Sequence, residues 1–185
     1  VGVGDVALPL ARHYFPNGEY GQALPFYQIA MSEMRDSTPE IIFEVGQAYE
    51  EIGDCEHALV FFERFADRVE PWERGEVDWY IGTCAFNVAN EWLERSNAGE
   101  EEMERALDLL DRTIEVGEPR NIQARAWFEK GETLADLGRC EEAMEAYAQV
   151  RNADQAGALV DRAQAAFDEI RFGSGLEYLR AGRCR

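Results

Sequence analysis

Three times in this chain a small residue stands 12 positions ahead of an alanine: Ala11 before Ala23, Gly46 before Ala58, and Gly131 before Ala143. A glycine falls between the members of each pair, at Gly18, Gly53 and Gly138, and a ring follows each alanine by four positions, at Tyr27, Phe62 and Tyr147. The spacing fits two helices that cross closely where the small residue of the first meets the alanine of the second. A larger side chain there holds the helices apart. The glycine between them suits a left-handed helix end. A fourth segment, Ile81-Gly82-x2-Ala85 followed by Ala106-x3-Leu110 and Pro119, repeats the pattern with 24 residues from Gly82 to Ala106, so 12 are extra.

Self-similarity at a period of about 35 residues is the signature of a repeat architecture. These segments resemble the tetratricopeptide repeat, a helix-turn-helix unit, over roughly residues 4–150. The resemblance implies an all-α, right-handed α-solenoid of about four helix pairs with a C-terminal capping helix. The expected units are 4–38, 39–73, 74–119 and 120–153, within a single domain over 1–185. The third unit is expected to carry a first helix lengthened by about two turns and closed by Ser96-Asn97-Ala98-Gly99. Its second helix enters through the acidic run Glu100–Glu102, which suits a helix N-terminus. Lengthened helices of this kind also make the chain loosely similar, over about residues 39–170, to repeat lipoproteins that help assemble outer-membrane barrels. Residues 155–172 form an amphipathic stretch with Leu159, Ala163, Ala166, Phe167 and Ile170 on one stripe, the cap that a solenoid end needs. The tail 173–185 offers Leu176, Tyr178 and Leu179 for docking back. Pro9 suggests that the first helix starts there or is irregular.

The formal net charge is −19. This argues against nucleic acid, whose phosphates need clustered Lys and Arg, and against anionic membrane surfaces. It either serves solubility alone or attracts a basic partner. Lys130 is the single lysine; a GC-rich coding sequence or a salt-adapted source would each account for that. No run of 18 apolar residues is present to span a membrane. No charged-then-apolar leader follows Val1, so any targeting signal is expected to have been removed or never to have been there.

Cys55 and Cys140 occupy the same repeat position just after the turn glycine, while Cys84 stands on the following first helix at a height that should face Cys55. Cys184 lies in the tail, within reach of Cys140. The expected pairing is therefore 55–84 and 140–184, each adding about 3–4 kcal/mol through loop closure. The alternative is four buried thiols, common in reduced compartments. Bridges imply an exported, periplasmic or extracellular protein; thiols fit the cytoplasm. The Gly-x-Cys-x-x-Ala turn also resembles repeat units of secreted proteins in Gram-negative bacteria. No CxxC pair points to zinc, and no cofactor or metal is expected.

Catalytic signals are absent. The two histidines, His13 and His57, lack a neighbouring nucleophile and acid at usable spacing, and no phosphate-cradling glycine motif occurs. Acid pairs such as Glu50-Glu51 and Glu141-Glu142 are ordinary solvated helix surface. In the family resembled, first helices line a concave face that takes an extended or helical peptide. Repeat register projects there Phe43, Glu44, Gln47, Glu50 and Glu51, then Trp79, Tyr80, Thr83, Phe86 and Asn87, then Phe128, Glu129, Glu132 and Asp136, with Leu8, Arg12 and Phe15 from the first unit. Carboxylates around aromatics suit a peptide carrying Arg or Lys beside apolar anchors; the alternative for each ring is packing between units. A clamp for an acidic peptide tail is excluded, because it needs Lys, Arg and Asn at these positions. The Trp92-Leu93 end of the lengthened helix is expected to stand uncovered and to offer a second docking point. Two functions follow. One is a non-catalytic protein-binding scaffold, such as a subunit of an envelope complex; the other is a structural spacer that self-associates.

Overall fold

The computed structural model describes residues 3–33, 37–95, 98–154 and 157–172, together with Cys184. Among the described residues there are helices and no strand: α1 (Val3–Tyr14), α2 (Tyr20–Glu33), α3 (Pro39–Glu51), α4 (Cys55–Ala66), α5 (Glu76–Leu93), α6 (Glu100–Val116), α7 (Arg120–Asp136), α8 (Cys140–Ala153) and α9 (Ala158–Phe172). The chain is all-α, and its helices follow one another in pairs, as the repeat spacing predicts. It falls into two compact units, Val1–Cys84 and Ala85–Arg185, divided inside α5. Among the described residues no helix is long and apolar enough to cross a membrane.

Within a pair, the turn is set by one local device used three times. Gly18, Gly53 and Gly138 have φ of 75°, 82° and 75°, the left-handed region where a side chain is strained. Beyond each glycine, the next N–H reaches back five residues to a helix carbonyl: Glu19 to Tyr14, Asp54 to Tyr49 and Arg139 to Leu134, at 3.2, 2.9 and 2.8 Å. That is the longer bond of a Schellman ending, and it satisfies carbonyls that the helix end leaves orphaned. The second helix then starts at once. At α4, Asp54 caps it by accepting the His57 N–H at 3.1 Å. The lengthened pair is built otherwise: Glu102 accepts the Gly99 N–H at 2.9 Å, holding the acidic entry of α6. Ser96, Asn97 and the tail 173–183 lie outside the described residues.

Each unit has its own core. In the N-terminal unit, Ala11, Ala23, Tyr27, Ile41, Val45 and Ala48 pack together, fully or almost fully buried. In the C-terminal unit, one cluster joins Phe86, Ala89, Ala106, Leu110 and Ala126. A second gathers Leu134, Ala143, Ala146, Tyr147 and Val150 with Ala163 of α9, and Leu159, Ala166, Phe167 and Ile170 pack against it. The predicted stripe of α9 thus faces the core, although only Ala163 in this helix is fully covered.

Two expectations are corrected here. Pro9 does not start α1 but lies within it, as Pro25 lies within α2. Proline in a helix interior loses its own N–H bond and crowds the carbonyl one turn back, and both prolines stand on the exposed side of their helices. Trp92 and Leu93 do not stand uncovered. Both pack against the Phe86–Leu110 cluster, and the guanidinium groups of Arg95 and Arg105 lie over the Trp92 indole, 3.8 and 5.3 Å from its ring centre.

Candidate functional site

The crossing points place the ring of each second helix under the small residue of the first. A Cβ added to Gly46 would stand 2.7 Å from the Phe62 ring, and one added to Gly131 would stand 2.6 Å from the Tyr147 ring. The residue after each small one is Arg12, Gln47 or Glu132, and each makes a polar contact beside a ring. Arg12 forms a two-pronged pair with Glu44 at 3.0 and 3.1 Å, and the Tyr27 hydroxyl donates to the same carboxylate at 2.9 Å. The Gln47 amide donates to the Tyr80 hydroxyl at 3.2 Å. The Tyr147 hydroxyl donates to Glu132. Burial, then the Glu44 carboxylate beside it, push the Tyr27 phenol well above its ordinary pKa, so it stays a donor.

In the N-terminal unit, the expected residues Phe43, Gln47, Trp79 and Tyr80 do gather. Phe43 packs on Phe62, Phe65 and Tyr80 with ring centres 5.7, 5.2 and 5.7 Å apart, and Tyr80 stacks on Phe62 at 4.8 Å. Trp79 meets Tyr80 edge-on and is 44% exposed, so part of its ring is open to a ligand. Glu50 is half-buried, and its carboxyl is raised by that burial and by the charge of Glu51. Glu51 itself is exposed. The Thr83 hydroxyl is buried with no hydrogen-bond partner. Glu44 serves its bonds to Arg12 and Tyr27.

In the C-terminal unit the residues converge more closely. A cavity of about 290 Å³ is lined by Leu93, Met103, Phe128, Glu129, Glu132, Thr133, Asp136 and Arg162. Three of the expected acids therefore share one recess with a ring. Glu129 has its carboxyl raised by burial first and by the Glu132 charge second, only partly relieved by Arg125 and Arg162. A larger depression of about 420 Å³ at α8 and α9 is lined by Glu141, Met144, Glu145, Ala148, Phe167 and Arg171.

Two expected groove aromatics are corrected. Phe86 is 1% exposed and Phe128 is 4% exposed. Phe86 belongs to the core because α6 lies along the later turns of α5, and the Arg125 guanidinium covers its ring, 4.7 Å from the centre. Phe128 is packed on Tyr147 at 5.8 Å and roofed by Arg162 of α9 at 4.5 Å. Asn87 is exposed, apart from the cavity of about 290 Å³. Sequence reasoning did not single out Arg162 or Met103; Arg162 arrives from a helix whose sequence carries no repeat register to align it.

Cys140 and Cys184 are placed as a disulfide, with a Cα–Cα distance of 5.2 Å. Cys55 and Cys84 are not: they are two buried thiols, their side chains in hydrogen-bond contact. The expected face-to-face placement is present and the covalent bond is not. Among the described residues no group of three or more His, Cys, Asp or Glu side chains is placed to hold a metal. His57 is taken up locally, its Nδ1 at 2.8 Å from Asp54 and its ring stacked on Tyr49 at 5.2 Å.

The half-buried Glu129 gives a stability prediction. An acid whose folded pKa is raised costs folding free energy once it must ionise in the folded state. Glu129→Gln is therefore expected to stabilise the chain near pH 7. The advantage should fade as pH falls through the raised pKa of Glu129 and vanish below the ordinary carboxylate value, where both states are protonated. Urea titrations of both proteins from pH 4 to 8 read this directly; a constant difference across pH would refute it.

Comparison with known proteins bears on the fold. The sequence model of the tetratricopeptide repeat matches residues 124–155, which span α7 and α8. No curated protein sequence matches the chain. A crystal structure of MamA is 16% identical, with a TM-score of 0.51, over 94% of this chain and 92% of that one. MamA AMB-1 is 19% identical at a TM-score of 0.49, over 97% and 89%. TTC0263, a thermophilic TPR protein from Thermus thermophilus, is 17% identical at 0.40, over 91% and 84%.

Proposed function

We propose that this chain, a tetratricopeptide-repeat protein, is a non-catalytic scaffold that holds a partner protein by a basic, partly apolar peptide segment. The observation that carries this is the recess of the C-terminal unit, where Glu129, Glu132 and Asp136 line about 290 Å³ with Phe128, Leu93 and Met103 against a single Arg162. Burial and the neighbouring Glu132 charge hold the Glu129 carboxyl above its ordinary range, so these acids favour an entering cation. A Lys or Arg side chain entering the recess gives them a counter-charge, and its aliphatic stem covers the apolar wall. The formal charge of −19 adds attraction at longer range. In the N-terminal unit, exposed Trp79 beside Tyr80 and Gln47 offers an aromatic anchor and an amide for a neighbouring stretch of peptide.

The compartment belongs to the same proposal. Cross-linked Cys140 and Cys184 suit an oxidising compartment, which supports an exported protein acting in an envelope complex. The alternative function, self-association as a spacer, draws on the exposed apolar residues Val6 and Leu10 of α1; light scattering that finds a strict monomer at high concentration removes it.

The test uses fluorescence anisotropy with a library of labelled peptides carrying one Arg flanked by Leu or Phe, each paired with its citrulline counterpart. Arg peptides should bind more tightly, with affinity falling as salt rises. Glu129→Gln with Asp136→Asn should weaken them about tenfold, the equivalent of about 1.4 kcal/mol. Glu132 is spared because it also receives the Tyr147 hydroxyl. Equal binding of Arg and citrulline peptides, or no loss in the double variant, would sink the assignment.

A further inference from the structure

Cys55 is the first residue of α4, and Cys84 lies in the middle of α5. They are 8% and 0% exposed, both lie in the N-terminal unit, and their side chains touch. A disulfide needs sulfurs about 2.05 Å apart and closely opposed β-carbons. Side chains in hydrogen-bond contact bring the two sulfurs close, the approach from which closure starts. We propose that Cys55 and Cys84 are a dithiol that closes to a disulfide while the chain folds, tying the second repeat to the first helix of the third, and that a chain folded with both thiols reduced resists closure.

That resistance follows from the surroundings. Only the thiolate reacts in exchange. The Cys55 contact, burial, and the charge of Glu50 together push the Cys84 thiol far above its ordinary range. In the reduced, folded chain the attacking species is therefore scarce as well as covered. The bond must form before the core closes or through a local opening. The oxidant is a disulfide, either a small molecule or a protein partner. One cysteine thiolate attacks it, forming a mixed disulfide and expelling one thiolate. The second cysteine thiolate attacks that mixed disulfide, forming the Cys55–Cys84 bond and expelling the other. The cysteines lose two electrons, the oxidant gains them, and the two protons finish on the expelled thiols. The cross-link would hold the α5 turn bearing Trp79 and Thr83 in fixed register with α4.

The experiment refolds the full chain from denaturant with dithiothreitol removed, once with glutathione disulfide present and once reduced, with the same reagent added only after folding. Thiols are then alkylated in denaturant and the chain is digested with trypsin. Cys55 falls in the peptide Asp36–Arg64 and Cys84 in Gly75–Arg95. The first arm should yield these two peptides joined; the second should join them at least about tenfold more slowly. Recovery of both peptides singly alkylated in the first arm overturns the bridge. Equal rates in the two arms overturn its coupling to folding.

Discussion

Gly46→Ala and Gly131→Ala should each destabilise the protein, by about 1–2 kcal/mol, although both replace glycine with the best helix former. In an exposed helix interior the change stabilises by about 1 kcal/mol. Here the new Cβ lands 2.7 Å from the Phe62 ring at Gly46 and 2.6 Å from the Tyr147 ring at Gly131, where carbon atoms rest at about 3.5–4.0 Å. The rings cannot swing away. Phe62 is wholly buried and stacked on Tyr80, and Tyr147 is held by its hydroxyl on Glu132. Overpacking of this kind costs about 1–3 kcal/mol, and the helices must part to relieve it. Valine at either position adds two further methyls and should cost more than about 3 kcal/mol. Denaturant midpoints of the four variants check the sign. A gain in stability for either alanine variant would mean that the helices do not cross at that glycine.

That crossing was legible because its signals are local and repeated. A small residue, a turn glycine and a ring recur at fixed offsets, and the geometry each requires can be derived from one unit. The site was less legible. Glu129, Glu132 and Asp136 sit three and four residues apart on one helix, so repeat register alone brought them to one face. Phe86 and Phe128 failed because register gives direction and not cover. Phe86 points where expected, but α6 and Arg125 lie over it. Phe128 points toward the recess, but Arg162 roofs it. Trp92 is the instructive case: Arg95 three residues on already marks a guanidinium within reach of its ring, a signal available in the sequence and outweighed by the missing neighbour expected at that end.

Phe62→Ala should have the largest single effect, about 3–5 kcal/mol. The ring is fully buried, and Phe43, Tyr80 and the Gly46 backbone form its walls. Its loss removes apolar contact and leaves a cavity that its aromatic neighbours cannot fill without leaving their own packing. The informative measurement is the double variant. With the Phe62 ring gone, the three atoms nearest a Cβ at residue 46 are removed, so Gly46→Ala recovers the ordinary helix preference and enters the vacated space. In the Phe62→Ala background it should therefore stabilise, by about 0.5–1 kcal/mol, although it destabilises the wild type. The two changes should couple by about 1.5–3 kcal/mol, in the range found for residues in contact. Additive behaviour would place the ring and the glycine apart. A sign reversal reports their contact directly, and the same cycle at Gly131 and Tyr147 asks whether the second pair crosses by the same rule.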